Sequence, residues 1–362
     1  MKQFFINKKV LIAPLDWGLG HASRCISLIK YLQKTGCEII IASSGKQMSL
    51  LKKEFPGVVY IPLKGYQVNY SRYKRWMVLK ILWQTPKILS SVRKENIWLK
   101  NVIRTYKVDI VISDNRFGLY SGNVPCIFIT HQLYIKAPYT WLEKIIQQIN
   151  YRFINRFTEC WVPDAKGNLN LAGELSHPAQ LPSTPVKYLG PLSRFQYTES
   201  TSREYSYLII LSGPEPQRTV FEEKVLKLLP HLEGKKMLAR GKPSDENDVI
   251  VKHNCTIKNH MDTAELQQVL EKSEFVISRA GYTTIMELMA MKKKSILVPT
   301  PGQTEQEYLA QHLMMQHWCY CCNQDDDLLY HIQKATAFEY RLPQLDATDL
   351  STIVDDFLKI YQ

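Results

Sequence analysis

The stretch Asp16-Trp17-Gly18-Leu19-Gly20-His21-Ala22-Ser23-Arg24 follows an apolar run, Lys9–Leu15. It opens a helical pattern, Ala22–Gln33, with apolar residues at 22, 25, 26, 28, 29 and 32. A buried strand, a glycine-bearing turn and an amphipathic helix are the start of a β–α–β unit. The same alternation recurs along the chain. Strand-like runs are predicted at Lys9–Leu15, Glu38–Ala42, Val58–Leu63, Val108–Ser113, Cys126–Thr130, Glu159–Val162 and Val186–Leu189, and later at Tyr207–Ser212, Phe275–Ser278 and Ser295–Pro299. Near-continuous Val/Ile/Leu runs of this length suit parallel sheets covered on both faces. The segment Gly190–Ser206 is polar, with Pro191 and several Ser and Thr, and reads as a linker. The expected fold is therefore α/β, with two doubly wound Rossmann-like domains facing each other across a cleft. The expected boundaries are an N-terminal domain over 1–192, a C-terminal domain over 193–345, and a helix over 346–362 that packs back on the N-terminal domain.

A chain of 362 residues accommodates two such domains. With 45% hydrophobic and 22% charged residues it carries enough apolar side chains for full cores, which excludes general disorder. No apolar run reaches the roughly 18 residues that span a bilayer. The start, Met1–Val10, breaks its apolar character with Asn7, Lys8 and Lys9, so it leads into a strand and not a signal peptide. A cytoplasmic place is expected, with a peripheral position on the inner face of the membrane left open. Cys25, Cys37, Cys126 and Cys160 stand singly in apolar stretches, and Trp318–Cys322 reads as a core strand, not a metal site.

The net charge of +12 is divided unevenly. Residues 1–192 hold 27 Lys and Arg against 10 Asp and Glu, and residues 193–362 hold 19 against 24. The basic half calls for an anionic partner. Within it, Tyr66–Trp83 interleaves Arg72, Lys74, Arg75 and Lys80 with aromatics. That pattern suits an anionic membrane surface, single-stranded nucleic acid or a plain core helix. No nucleic-acid-binding module is visible, and none is expected as a partner.

Three constellations carry chemistry. In the first, Gly18 and Gly20 admit a ligand close to the backbone and His21 stands at the sheet's carboxyl edge. Ser23 replaces the third glycine of a dinucleotide fingerprint, and the second strand ends without an acid, which disfavours NAD. His21 serves either as general base or only as a helix-capping residue. Asp114 and His131 end neighbouring strands and are expected near it. Asp114 would orient His21 and raise its basicity, while His131 would touch the acceptor. The second constellation is Ser278–Glu287, again a strand followed by a helix start. Gly281 admits a phosphate, Thr283 and Thr284 donate, and Glu287 stands alone in the apolar run Ile285–Met291. Glu287 and Thr284 share a helix face, where the carboxylate would accept both hydroxyls of a ribose, or else reach solvent on a polar stripe. The third is Pro299–Tyr308, with Gln303, Gln306 and Glu307 suited to sugar hydroxyls. Thr304 and Glu307 equally spell a capping box.

The run Phe275–Gln311 resembles the donor-binding region of glycosyltransferase family 28 (MurG-like) in Arg279, Gly281, Thr284 and Glu287 and in the Gln306-Glu307 pair that follows. The Gly18–His21 loop, Thr130-His131-Gln132, Leu189–Leu192 and Leu211-Ser212-Gly213 are similar to further parts of that family. The resemblance implies a GT-B fold and inverting transfer from a UDP-sugar co-substrate, with no other cofactor. It also implies a lipid-linked acceptor, although the acceptor itself is not named by the sequence. Glu307 departs from the family's second Gln, which leaves the sugar open. The Glu-x7-Glu pair of retaining enzymes is missing, since Arg279 and Ser295 flank Glu287 at that spacing. Asp325-Asp326-Asp327 reads as a helix start, and no metal is expected. Arg279, and Arg218 after the Ser212-Gly213 phosphate loop, would neutralise the leaving diphosphate instead. Other readings of the same fold are a nucleotide-sugar epimerase or hydrolase, and a nucleotide-sugar-binding subunit without catalysis of its own.

Overall fold

The computed structural model describes residues 8–65, 77–137, 139–199, 202–242, 249–345 and 349–361. The chain divides into two compact units, Met1–Leu192 with Asp346–Gln362, and Ser193–Leu345.

The first unit contains β1 (Lys9–Pro14), α1 (Gly20–Lys34), β2 (Glu38–Ser43), α2 (Gly45–Glu54), β3 (Val59–Pro62), α3 (Met77–Tyr106), β4 (Ile110–Asp114), β5 (Cys126–Ile129), α4 (Thr140–Ile154), β6 (Glu159–Val162) and β7 (Val186–Tyr188). Its sheet runs β3-β2-β1-β4-β5-β6-β7, and every pairing is parallel. Parallel strands need helices on both faces, which is why Leu11, Ile40, Val111 and Phe128 are all closed off from solvent. The order reverses between β1 and β4. There the connections leave to opposite sides and open a crevice beyond the carboxyl ends. The register places Pro14 beside Asp114 and Asp114 beside Ile129, so β1, β4 and β5 end level with one another.

The second unit contains β8 (Tyr205–Ile210), α5 (Gln217–Leu228), β9 (Lys236–Ala239), β10 (Val249–Lys252), β11 (Cys255–Lys258), α6 (Thr263–Glu271), β12 (Ser273–Ser278), α7 (Tyr282–Ala290), β13 (Lys294–Leu297), α8 (Thr304–Met315), β14 (Tyr320–Cys321) and α9 (Leu328–Thr336). Its sheet runs β10-β11-β9-β8-β12-β13-β14, parallel except for the β10–β11 hairpin. Its order reverses between β8 and β12.

The last helix, α10 (Leu350–Ile360), packs on the first unit. Val354, Phe357 and Leu358 lie against Val10, Leu32, Ile110, Ile127 and Trp161. The Phe357 ring meets Trp161 edge-on at 5.5 Å, and the Tyr31 hydroxyl donates to Asp355 at 2.7 Å.

Four local expectations are corrected. β9, β10 and β11 are strands that the apolar runs did not announce. Lys236 opens β9 yet is buried, its ammonium satisfied by the Leu232 carbonyl. The linker segment is not solvated at its start, because Leu189–Leu192 and Phe195 are buried, and its last residues already belong to β8. The core strand at Trp318–Cys322 is reduced to Tyr320–Cys321, although its flanks are buried. Helix α8 is capped by Gln303 and not by Thr304. Glu307 instead reaches back to the amide of Gly302 at 3.1 Å. The basic-aromatic stretch Tyr66–Trp83, including Arg72, Lys74 and Arg75, lies outside the described residues except for the α3 backbone from Met77. Among the described residues no helix is long and apolar enough to cross a membrane.

Phe357 fills the space between α10 and the sheet, so Phe357→Ala leaves a cavity the strands cannot close. The expected loss is about 3–5 kcal/mol in the first unit. It would be read as a lowered denaturant midpoint in urea unfolding followed by tryptophan fluorescence, since Trp161 is its neighbour.

Candidate active site

In the first unit the level ends of β1, β4 and β5 bring Asp114 and His131 to the first turn of α1, which begins one residue before His21. His21 Nδ1 lies 3.1 Å from Asp114 Oδ2. Arg24, one turn further along α1, donates Nε to the same oxygen at 2.9 Å and Nη2 to Asp114 Oδ1. Its Nη1 stands 3.3 Å from His131 Nδ1. Asp114, Arg24 and His131 are buried, while the His21 side chain keeps 15% of its surface open.

These contacts allow the His21 tautomer to be assigned from the hydrogen-bond network. Nδ1 of His21 lies within reach of an acceptor, Asp114, and of a donor, Arg24 Nη2 at 3.0 Å. Because Arg24 already donates to the carboxylate through two nitrogens, the arrangement that satisfies every group puts the His21 proton on Nδ1, toward Asp114. Nε2 then carries the free lone pair. Burial would raise the Asp114 carboxyl, but Arg24 and His21 outweigh it and hold the value at about 2. Relative to its ordinary value near 3.8, this stabilises the fold by about 2 kcal/mol above pH 4. That contribution is lost as pH falls from about 4 toward 2. At His21 the Asp114 contribution is raising, as expected, but the balance falls the other way. Burial lowers its pKa below the usual 6.5, Arg24 and His131 add to that, and Asp114 only partly offsets it. The carboxylate therefore orients the ring without making it a stronger base overall. The imidazole is neutral at pH 7 and can accept a proton.

Arg24 was not singled out as a site residue. Its signal was an arginine on the apolar face of α1, three residues after His21 and so on the same side. Gly18 lies in the exposed turn before α1 and Gly20 is that helix's first residue.

In the second unit, Ser212 and Gly213 follow β8, Arg279 to Gly281 follow β12, and Thr300 to Gln303 follow β13. All stand at the carboxyl edge around the β8/β12 reversal. Gly213 has φ +104, a conformation that side chains rarely adopt, and a Cβ there would approach Thr300 Oγ1 to 4.0 Å. Gly281 is the cap residue of α7 with extended backbone, and a Cβ there would meet nothing within 4 Å. Thr283 and Thr284 are half-buried in the first turn. Thr300 Oγ1, Gln217 Oε1 and Arg279 Nε are buried without hydrogen-bond partners. Unpaired polar atoms gathered at one sheet edge are what a polar ligand would satisfy.

Several side chains are more committed than expected. Gln306 Oε1 accepts from the Thr300 amide at 2.9 Å and its Nε2 donates to Gln303 Oε1 at 2.6 Å, so it shapes the loop. The expectation that Arg218 and Arg279 neutralise a diphosphate is revised. Arg218 is held by Glu215 and Glu222, each at 2.6 Å. Arg279 donates to the carbonyls of Val298, Pro299 and Gln217 and lies over the Phe221 ring. Burial without a carboxylate partner lowers its pKa to about 10. Glu287 is not alone. Arg194 donates Nε to its Oε1 at 2.8 Å, and burial still lifts the carboxyl above its ordinary value. Asp327 caps α9 by accepting from the Tyr330 amide, and Asp325 pairs with Lys224. Among the described residues no group of three or more His, Cys, Asp or Glu is arranged to hold a metal.

Two doubly wound units, each with its strand order reversing inside the sheet, are the architecture of the GT-B fold. Acinetobacter baumannii MurG shares that fold, with a TM-score of 0.56 at 14% identity over 98% of this chain and 99% of that one. Residues 211–344 match the model of the glycosyltransferase family 28 C-terminal domain. A relative from Methanosarcina acetivorans, named as an uncharacterized glycosyltransferase, is 23% identical over 83% of this chain and 81% of its own. The UDP-N-acetylglucosamine–N-acetylmuramyl-(pentapeptide) pyrophosphoryl-undecaprenol N-acetylglucosamine transferase of Haemophilus ducreyi is 23% identical over 84% of this chain and 81% of its own. The chain is a glycosyltransferase whose residues 211–344 match a family 28 C-terminal domain and which is similar to MurG.

The Arg194–Glu287 pair reverses one stability expectation. A lone carboxylate could be removed freely, but Glu287→Ala strands a mostly buried guanidinium. The expected loss is about 1–3 kcal/mol, with Glu287→Gln intermediate, measured by urea unfolding at pH 7.

Proposed function

We propose that this glycosyltransferase is an inverting, metal-independent enzyme that moves a sugar from a UDP-sugar to a hydroxyl of an anionic or lipid-linked acceptor. The observation that carries the reading is the His21–Asp114 pair at the β1/β4 reversal. It presents a neutral imidazole with one nitrogen held and the other free. In the reaction, Nε2 of His21 takes the proton of the acceptor hydroxyl. The oxygen forms its bond to the sugar's anomeric carbon from the face opposite the leaving group. The bond to the diphosphate breaks, and its electron pair leaves with UDP. Asp114 steadies the imidazolium that forms, and His131 contacts the acceptor.

In this reading the first unit supplies the base and the acceptor contacts and the second supplies the donor contacts. Glu287 accepts the ribose hydroxyls beside Thr284. The amides and hydroxyls of Ser212, Gly213, Gly281 and Thr283 meet the diphosphate at the α7 N-terminus. Thr300 and Gln217 bring unpartnered polar atoms to the same edge. Gln303, with Gln306 and Glu307 behind it, faces the sugar. The UDP assignment is supported by the UDP-N-acetylglucosamine donor in the name of the Haemophilus ducreyi relative. The anionic acceptor is supported by the excess of 17 positive charges that the Lys, Arg, Asp and Glu counts give residues 1–192.

The base assignment makes a directional pH prediction. UDP release from a UDP-sugar panel, with water or a lipid extract supplying the hydroxyl, should fall on the acid side with an apparent pKa below 6.5. Asp114→Asn removes the group that raises the His21 value, so the acid limb should move lower still while the rate drops. His21→Ala should cost about 10²–10⁴ in kcat. A chelator should leave the rate unchanged. An unaltered rate in His21→Ala would remove the mechanism.

The donor assignment is checked separately by calorimetric titration with UDP, UDP-glucose and UDP-N-acetylglucosamine. Glu287→Gln should weaken UDP by about 1–3 kcal/mol. Unchanged UDP affinity in the folded variant would remove the ribose role.

A further inference from the structure

Arg24 is buried on α1 and touches three other groups of the first unit's site at once. Its Nε and Nη2 hold the two Asp114 oxygens. Nη2 also stands 3.0 Å from His21 Nδ1, and Nη1 stands 3.3 Å from His131 Nδ1. A guanidinium is planar, with five N–H groups and no lone pair to offer. The ring nitrogen that meets Nη1 must therefore accept. Nδ1 of His131 is assigned the lone pair, and the proton of that ring sits on Nε2. His21 is the reverse. Its Nδ1 lies 3.1 Å from a carboxylate oxygen, which can only accept, so the proton is on Nδ1 and the lone pair on Nε2. Two imidazoles gathered around one ion pair thus carry opposite tautomers.

An arginine that only anchored a carboxylate would need one edge of its fork. Arg24 uses the Nε–Nη2 edge on Asp114 and turns Nη1 to His131. A proton on Nδ1 of His131 would point straight at that donor. The Cys25 thiol also stands 3.8 Å from Asp114 Oδ2, but burial and the carboxylate hold it protonated, so it adds no charge. We propose that Arg24 is a positioning residue for the reaction: it holds His131 as a hydrogen-bond donor at Nε2, while the carboxylate it anchors leaves His21 as the proton acceptor at Nε2. The positive charge of Arg24 also opposes a second proton on His21, which keeps that lone pair available at neutral pH. Neighbouring imidazoles without such a bridge would exchange roles, or both accept. Here the fold decides which ring takes the proton and which gives a hydrogen bond. The inference rests on the reading of His21 as base and His131 as an acceptor contact.

The test labels the histidines of the full chain with nitrogen-15 and records two-bond proton–nitrogen correlations at pH 7. The two rings are identified by the signals lost in His21→Ala and in His131→Ala. The wild type should show the proton on Nδ1 of His21 and on Nε2 of His131, a reading that needs no Arg24 variant. Arg24→Lys keeps a cation against the buried Asp114 carboxylate, so it should fold, but an ammonium lacks the fork that reaches two partners. In that variant His21 should keep its tautomer, while His131 becomes a mixture of both. Its kcat should fall about ten- to a hundredfold, with KM for the UDP-sugar and the affinity for UDP unchanged. The proposal is overturned if the wild type does not show opposite tautomers in that sense. It is also overturned if Arg24→Lys lowers only the unfolding midpoint and leaves the His131 tautomer and kcat as they are. Either result leaves the base assignment standing, because that is judged by the rate of His21→Ala. Opposite tautomers with an undiminished rate in His21→Ala would instead remove the base, and the positioning role with it.

Discussion

Arg24 and Asp114 are both closed off from water, and each is tolerable there only because of the other. An arginine on the apolar side of a helix costs several kcal/mol when it stands alone, as does a carboxylate at the end of a central strand. Paired, they lock helix α1 onto the ends of β1 and β4, and His21 shares one carboxylate oxygen with the guanidinium. The His21 ring angle, its tautomer and the placement of His131 all follow from that pair. The level register of β1, β4 and β5 is what makes the pair reachable, and it is enforced by strands with no exposed face on which to slip.

The second unit solves a similar problem in a different way. Arg279 is held by backbone carbonyls, the Gln324 side chain and an aromatic ring. Those carbonyls belong to the segment after β13 and to the start of α5, so the guanidinium ties together the loops that surround Gly213 and Thr300. This carboxyl edge is thus shaped from behind by buried groups, and it also holds the unpaired polar atoms of Thr300 and Gln217.

The strands of both sheets were largely legible because parallel strands covered on both faces must be spelled in Val, Ile and Leu. Where that condition lapses, so does the signal. Val249–Lys252 is an exposed edge strand, and Lys236–Ala239 opens with a lysine whose buried charge is met by a carbonyl. The meeting of His21 with Asp114 could be anticipated, since both stand at ends of adjoining strands. Arg24 could not, because its role depends on a residue 90 positions away, and in one dimension it reads as a flaw in an apolar face. Arg194 beside Glu287 was hidden for the same reason, at a separation of 93. Asp114 raises the His21 value as the neighbouring acid suggests, but burial and the opposing guanidinium, which are not visible in sequence, outweigh it. The start of α8 moved by one residue because Glu307 found the Gly302 amide before the one that a capping box would offer.

Helix α10 gives the chain an order of completion. The Tyr31 hydroxyl waits for Asp355, 324 residues later, and the underside of Trp161 stays uncovered until Phe357 arrives. A ribosome therefore finishes the entire second unit before the first can close its apolar underside. Contacts of such high sequence separation are slow to form and leave apolar surface exposed in the meantime. The C-terminal helix is thus the last part of the first unit's core to leave the ribosome. A chain cut short after the second unit would own every group named in the chemistry and still display a greasy face to the cell's quality-control machinery.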